Sequence, residues 1–167
     1  MPAWRPLVAA DLPAVSAIAA KVHPDFPEAD AVFADKLEVA PQFCFLLERE
    51  GESLGYCLAH PYRLGAVPDL DALITLPDGA PDTLYIHDLA LLAGARGTGA
   101  GGAIVDHLVA AAHPFGALSL VAVNGSVPFW TRMGFAPDTD PNVARQLAGY
   151  GPDAAYMIRP AVAPDAR

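Results

Sequence analysis

Charge is scarce in this sequence, and positive charge is scarcer still. Only 17% of the 167 residues are charged, the formal net charge is −9, and the 10 lysines and arginines form no cluster. Nucleic acid is therefore excluded as a partner. The same deficit constrains any polyanionic ligand. The long-range field does not attract it, so its phosphates must be held by backbone N–H groups, a helix N-terminus and single arginines. Cysteine is nearly absent. Cys44 and Cys57 both sit in hydrophobic runs and are expected to be buried free thiols of a reducing compartment. No apolar run reaches the roughly 18 residues of a spanning helix, so no membrane partner is expected. Met1–Pro6 lacks the apolar block of a signal peptide, which points to a cytoplasmic protein. No histidine pair has a metal-ligand spacing such as H-x-x-x-H, so no metal is expected. Repeats and low-complexity tracts are missing too. What is abundant is apolar sequence, at 53% of the chain, which excludes a disordered protein. The length fits one domain, residues 1–167, with its own core.

The apolar residues recur with two periods. Arg5–Val8 reads as a short strand. Asp11 is placed to cap a helix in which Leu12, Val15, Ile18, Ala19 and Val22 recur at helical spacing, ending at His23-Pro24. A second helix is expected over 28–40. Phe43–Leu47 and Leu54–His60 read as a hairpin around Glu50-Gly51-Glu52. Residues 63–82 are rich in Pro, Gly and Asp and read as a long loop with room for one short helix, a length often tied to function. Thr83–Leu92 is a strong strand, followed by a glycine-rich turn and a helix over 103–112. Ala117–Val123 is the next strand. A helix over 126–133 ends at Gly134, where a left-handed C-cap is expected. A short helix over 142–148 and a strand over 155–159 complete the pattern. The strand–turn–helix–strand unit over 84–123 predicts a parallel pair with a right-handed crossover.

Five of the nine residues from Gly94 to Gly102 are glycine. That density suits a backbone with unusual dihedrals or one that a ligand approaches closely. Ahead of a helix it aims free N–H groups at one point, with the helix dipole behind them, as a phosphate site requires. Gly97, Gly99 and Gly102 match G-x-G-x-x-G, the dinucleotide fingerprint. That reading needs a carboxylate at the end of the next strand, and the strand ends Val121-Ala122-Val123-Asn124 instead. A dinucleotide-binding enzyme is thus the weaker alternative.

The second match is R-x-x-G-x-G, on Arg96, Gly99 and Gly101. With its surroundings it resembles the GNAT superfamily of acyl-coenzyme-A-dependent N-acyltransferases. Leu84–Leu91 is similar to that family's fourth strand, Arg96–Gly102 to its pyrophosphate loop, and Leu118–Asn124 to its fifth strand and following asparagine. Phe129–Phe135 is similar to its F-Y-x-x-x-G-F segment. The resemblance implies an α/β (α+β mixed) fold: a mostly antiparallel mixed sheet with one splayed parallel pair and flanking helices. It implies acetyl-CoA as cosubstrate, bound by a core over 84–135. The backbone of Leu89 and Leu91 then pairs with the pantetheine arm. Arg96 and the amides of Gly97, Thr98, Gly99, Ala100, Gly101 and Gly102 hold the pyrophosphate, and Asn124, Phe129 and Trp130 contact the cofactor nearer its thiol. A backbone N–H near Leu91 is the implied oxyanion donor.

The implied reaction is direct attack of an amine on a thioester through a tetrahedral intermediate. A free amine is mostly protonated at neutral pH, so a base must remove a proton. His87 and Asp88 are the candidates. As neighbours on a strand they are expected on opposite faces, so that only one meets the cleft. The family's usual tyrosine acid corresponds to Trp130, whose indole cannot deliver a proton. Tyr150 and Tyr156 are the remaining acid candidates. Alternatively no acid is needed, since a thiol of pKa about 8.5 leaves readily as thiolate. The missing tyrosine also motivates an alternative reading as a non-catalytic acyl-CoA-binding module. Tyr62 and Arg63, just after the hairpin, are candidate acceptor-binding residues by position. Asp69, Asp71, Asp78 and Asp82 read as a solvated acidic loop. The acceptor is a small-molecule amine or a protein amino group, and apolar residues of the loop or C-terminus are candidates for a homodimer contact.

Overall fold

The computed structural model describes residues 1–75 and 78–161. It contains one sheet of seven strands: β1 (Ala3–Pro6), β2 (Cys44–Arg49), β3 (Glu52–Tyr62), β4 (Thr83–Leu91), β5 (Ala117–Ala122), β6 (Ala136–Pro137) and β7 (Ala155–Pro160). Their order is β1-β2-β3-β4-β5-β7-β6. Only β4 and β5 run parallel; every other neighbouring pair is antiparallel. The helices are α1 (Leu12–Val22), α2 (Asp30–Val39), α3 (Ala100–Ala111), α4 (Val127–Arg132) and α5 (Pro141–Ala144).

Strand alternation gives the sheet two buried faces. On one, Ile104, Val105 and Leu108 of α3 pack on Phe45, Cys57, Leu84, Ile86, Leu118 and Leu120. On the other, Val15 and Ile18 of α1 and Phe33 of α2 pack on Cys44, Leu46, Tyr56 and Leu58. The two cysteines therefore lie on opposite faces, free and buried. Burial pushes the Cys44 thiol up to about 12, so both stay protonated and inert.

Several boundaries differ from the sequence reading. β1 begins and ends two residues earlier, because Val8 turns its N–H onto the Asp11 carboxylate (2.9 Å). Asp11 does not cap α1. Its carboxylate is held by Arg5 through two bonds of 2.8 Å, and its backbone is already helical. α3 starts at Ala100, so three of the seven residues of the expected loop Arg96–Gly102 are helix. The two-residue β6 gave no periodic signal, and β3 runs on through Pro61 to Tyr62. No helix occurs among the described residues of the 63–82 segment. Gly134 does stop α4 with φ at 90°.

Two features bear on the site. Gly55 of β3 faces Leu91, and a methyl there would meet Ala90 O at 2.7 Å and Leu91 Cδ2 at 2.8 Å. The close approach holds the end of β4 in place. His60 of β3 is fully buried among Tyr62, Tyr85 and His87 at centroid distances of 5.2, 5.4 and 6.5 Å. Burial pushes its pKa down to about 3, so it stays neutral.

Gly55→Ala is expected to cost about 2 kcal/mol, a fall in Tm of roughly 4–8 °C. Gly94→Ala, whose methyl meets nothing within 4 Å, serves as the neutral control in the same thermal melts. His60 makes a pH prediction. Between its unfolded value near 6.5 and its folded value near 3, the unfolded chain binds a proton that the folded chain refuses. Stability is thus lost on acidification across that window, by up to about 1.4 kcal/mol per pH unit from this group. Denaturant titrations of His60→Phe should show a slope shallower by about one proton between pH 6 and 4; an unchanged slope refutes the assignment.

Candidate active site

The parallel ladder between β4 and β5 is short. It pairs Leu84 with Leu118, Tyr85 with Ser119 and Ile86 with Leu120, and goes no further. Beyond Ile86 the strands part, and a cavity of about 370 Å³ opens there. On its other side β4 stays paired with β3 as far as Leu91 opposite Gly55. Just past the strand, the Leu92 N–H is spent on Leu54 O toward β3 (2.8 Å). Alternation then turns the N–H and C=O of Leu89 and Leu91 toward the gap. Leu89, Leu91, Val121 and Val123 all line the cavity.

His87 interrupts the alternation. Asp88 lies opposite Leu58 and Ile86 opposite Ala59, which leaves His87 as the extra residue of a β-bulge. Ile86 and Leu89 both face the α3 layer, so the two residues between them share the other face. Both His87 and Asp88 line the cavity. The expectation that only one of them meets the cleft is corrected by this bulge.

Asp88 sits at the centre of a hydrogen-bonded group. Its Oδ1 lies 2.7 Å from His23 Nε2, and the Tyr56 hydroxyl donates to its Oδ2. His23 Nδ1 lies 2.9 Å from the side-chain nitrogen of Asn124. Burial works to lower the His23 pKa, but the hydrogen bond and charge of Asp88, with Glu28 adding, leave it above the ordinary histidine value. Burial and the Asp88 charge together push the Tyr56 hydroxyl up, so it remains a donor. A second pair lies beside the first: His87 Nε2 is 2.9 Å from Glu28 Oε1, with side chains only 4% and 7% exposed. His87 Nδ1 is buried without a hydrogen-bond partner among the described residues.

The glycine turn lies beyond Leu91 at the outer end. Gly97 and Gly99 take φ of 77° and 85°, which side chains resist, and Gly99 caps α3. Thr98 Oγ1 donates to Ala95 O (2.6 Å) and accepts from the Ala100 N–H (3.3 Å). The Ala100 carbonyl accepts from Trp4 Nε1 (2.9 Å). Gly101 has a packing role, since a methyl there would meet the Phe129 ring at 3.2 Å. The first-turn N–H groups of α3, including those of Gly101 and Gly102, have no intrahelical partner. Arg96 lines the cavity and donates from Nε to Leu91 O (3.3 Å).

The structure thus brings His87, Asp88, Leu89, Leu91, Arg96, Asn124, Phe129 and Trp130 onto one cavity, with the turn Gly97–Gly102 outside its wall. Asn124 and Gly125 both take positive φ, 55° and 71°, which swings the chain out of β5 at that point. Tyr62 and Arg63 are not on the cavity, which corrects their expected role. Tyr62 packs into a separate buried cluster with Val67 and Tyr150, and Arg63 reaches Ala80 O and Asp82. Tyr156 is also off the cavity, with its hydroxyl accepting from the Gly65 N–H (3.0 Å). Tyr150 lines the cavity but donates its hydroxyl to Pro68 O (2.7 Å). Asp71 and Asp82 of the acidic loop accept backbone N–H groups of Ala29 (2.6 Å) and Leu64 (2.7 Å). Sequence reasoning missed His23, Glu28 and Tyr56. His23 and Glu28 come from the link between α1 and α2, and Tyr56 from β3, so no local spacing connects them to β4.

With this geometry in hand, comparison with known proteins is informative. A family model described as "Acetyltransferase (GNAT) family" matches residues 6–135. No curated protein sequence matches the chain. Among solved structures the chain is similar to the GphF GNAT-like decarboxylase in complex with isobutyryl-CoA, with TM-score 0.78, 17% identity, and coverage of 96% of this chain and 100% of that one. It is similar to Ard1 from Thermoplasma volcanium, with TM-score 0.72, 17% identity, and coverage of 96% and 98%. It is also similar to N-acetylglutamate synthase from Neisseria gonorrhoeae complexed with coenzyme A and N-acetyl-glutamate, with TM-score 0.70, 15% identity, and coverage of 97% of this chain and 35% of that one. At these identities the likeness is one of fold.

The His23–Asp88 contact makes its own prediction. Asp88→Asn keeps the shape and removes the charge, leaving the Glu28 charge alone to oppose the lowering of the His23 pKa by burial. An NMR titration should show the His23 midpoint fall. An unmoved midpoint refutes the coupling.

Proposed function

Because the chain belongs to the acetyltransferase (GNAT) family, whose members are acyl-CoA-dependent acyltransferases, we propose that it moves an acetyl group from acetyl-CoA to a primary amine. One observation carries this reading: the unpaired edge of β4, Arg96 of the glycine turn and the His23–Asp88 pair all meet one cavity, with the α3 N-terminus outside its wall. These features fit the cosubstrate. The N–H and C=O of Leu89 and the N–H of Leu91 suit the amides of a pantetheine arm, as an added strand would, while Leu91 O already accepts from Arg96 Nε. The α3 N-terminus with Gly97–Gly102, helped by Arg96, suits a pyrophosphate in a chain with no attractive long-range field. Residues 84–135 hold the donor in this reading. The bound cosubstrate supplies the thioester carbonyl that an amine attacks.

The chain's own groups divide the remaining work. Both Asp88 oxygens are engaged, so Asp88 orients His23 and does not itself take up a proton. With Nε2–H given to Asp88, His23 offers Nδ1 as the acceptor for the amine proton, directly or through one water, once Asn124 turns to the cosubstrate. The oxyanion donor moves from Leu91 to Leu89. At about 3.3 Å per residue, Leu91 lies roughly 10 Å along the strand from Asp88, too far to serve the same carbonyl. Trp130 packs against Phe129 and Phe135 at centroid distances of 4.9 and 5.3 Å and supplies no proton. The thiolate leaves without acid assistance, since its conjugate acid has a pKa of about 8.5.

A fold shared with a decarboxylase does not by itself choose the reaction. Amine dependence therefore decides. Calorimetry should show acetyl-CoA binding, and thiol release should require an added amine from a panel of small amines and short peptides. His23→Gln should lower kcat by at least about 100-fold with acetyl-CoA affinity nearly unchanged. Gly99→Val, strained at φ 85°, should weaken that affinity at least about tenfold. Binding without turnover for any amine favours a non-catalytic acyl-CoA module. Thiol release that ignores amines, or full activity in His23→Gln, refutes the assignment.

A further inference from the structure

One end of the cavity carries chemistry that the transfer step leaves unused. On the side of Asp88 away from Leu91, its walls are Phe26, Phe33, Leu70, Tyr85 and Tyr150, set around the Glu28–His87 pair. Three of these walls come from segments that sequence patterning left open: the α1–α2 link, the 63–82 loop and the chain after α5. Hydrogen bonds tie them together. Asp71 of the loop accepts from the Ala29 N–H (2.6 Å) and donates its own N–H to Glu28 (3.1 Å). Gln146 accepts from the Val67 N–H (2.9 Å), and Tyr150 donates to Pro68 O (2.7 Å). Leu70 is thus held over the cavity from both sides.

The permanent charges at this end have one sign, each beside a histidine, His87 at Glu28 and His23 at Asp88. Glu28 and Asp88 are the carboxylates. Among the described residues, Arg96 is the one lining residue with a permanent positive charge, and it belongs to the opposite end. The buried Lys36 of α2 does not line the cavity; its ammonium goes to Ala72 O (3.0 Å) and Asp35 (3.9 Å). An acceptor carboxylate placed here would lose its water and gain no permanent cation, beside two carboxylates that already engage His23 and His87. An ammonium arriving from solution meets the reverse situation. The cavity is about 370 Å³ and is shared with the cosubstrate arm, so the acceptor must be compact.

We propose that this end is an acceptor chamber for a compact primary amine with an apolar or aromatic body and no carboxylate. The inference rests on the amine-acceptor reading above and adds the class of acceptor. Leu70 and the aromatic rings hold the body by apolar contact. The absence of a cation excludes amino acids, and the tied loop excludes peptide chains.

Phenethylamine and phenylalanine differ by one carboxylate and test this directly. Calorimetry on the full chain saturated with CoA reads their binding without requiring turnover. Phenethylamine should bind at least about 30-fold more tightly than phenylalanine and at least about tenfold more tightly than ethanolamine. A tetrapeptide with a free N-terminus should not compete with it. Leu70→Arg, checked for folding by its CoA affinity, should narrow the phenethylamine-to-phenylalanine ratio below about fivefold by supplying the missing cation. Phenylalanine binding within about threefold of phenethylamine, equal binding of the peptide, or no amine binding by a chain that binds CoA overturns the chamber. Preferential phenethylamine binding with no acetyl transfer leaves the chamber standing and removes the transfer reading.

Discussion

The early end of the β4–β5 ladder is the constraint from which the site follows. Two parallel strands hydrogen-bonded along their full length would leave no backbone groups for a ligand. Here pairing stops after Ile86 and Leu120, and the β4 edge beyond has no strand partner on that side. An unpaired edge inside a protein is normally a liability. In this fold it becomes the surface along which an extended, amide-bearing arm can lie. Gly55, Leu54 and the β3 ladder hold the other edge of β4 rigid, so the free edge keeps its shape.

The bulge at His87 is the second consequence of that strand. A regular strand would send His87 and Asp88 to opposite faces, one of them into the α3 layer. The extra residue sends both to the side of α1 and α2, where His23, Glu28 and Tyr56 meet them. Each buried ionisable group then has a partner. That matters in a chain of net charge −9, because an unpaired carboxylate here would be costly to bury. The two pairs also differ. His23–Asp88 extends to the exposed Asn124, whereas His87–Glu28 is sealed beneath the loop. The proposed reaction uses this difference, with proton transfer at the first pair and the acceptor environment at the second.

Much of the donor side was legible in one dimension. The glycine turn, its arginine, the strand before it and the asparagine after β5 are local features whose spacing reflects a strand–turn–helix–strand unit. Such units carry their geometry in short-range dihedral preferences, which composition reports. The same locality explains the small errors. α3 begins at Ala100 because glycine and alanine can enter a helix without a marked cap, and Asp11 serves Arg5 because that partner outcompetes the α1 backbone.

The acceptor side was not legible, for a physical reason. His23 and Glu28, Leu70 and Tyr150 come from three separate stretches of chain, and none of these stretches bears a spacing signal relative to the others. Register across β3 and β4, the bulge, and the hydrogen bonds tying the 63–82 segment to α2 and the C-terminal region bring them together. Such contacts depend on which faces pack, not on which residues are neighbours. Local spacing therefore establishes the glycine turn ahead of a helix and the strands around it. Which ionisable side chains face the cavity, and what shape that cavity has, follow from packing across the sheet, because long-range burial and pairing place charges that short-range preference cannot.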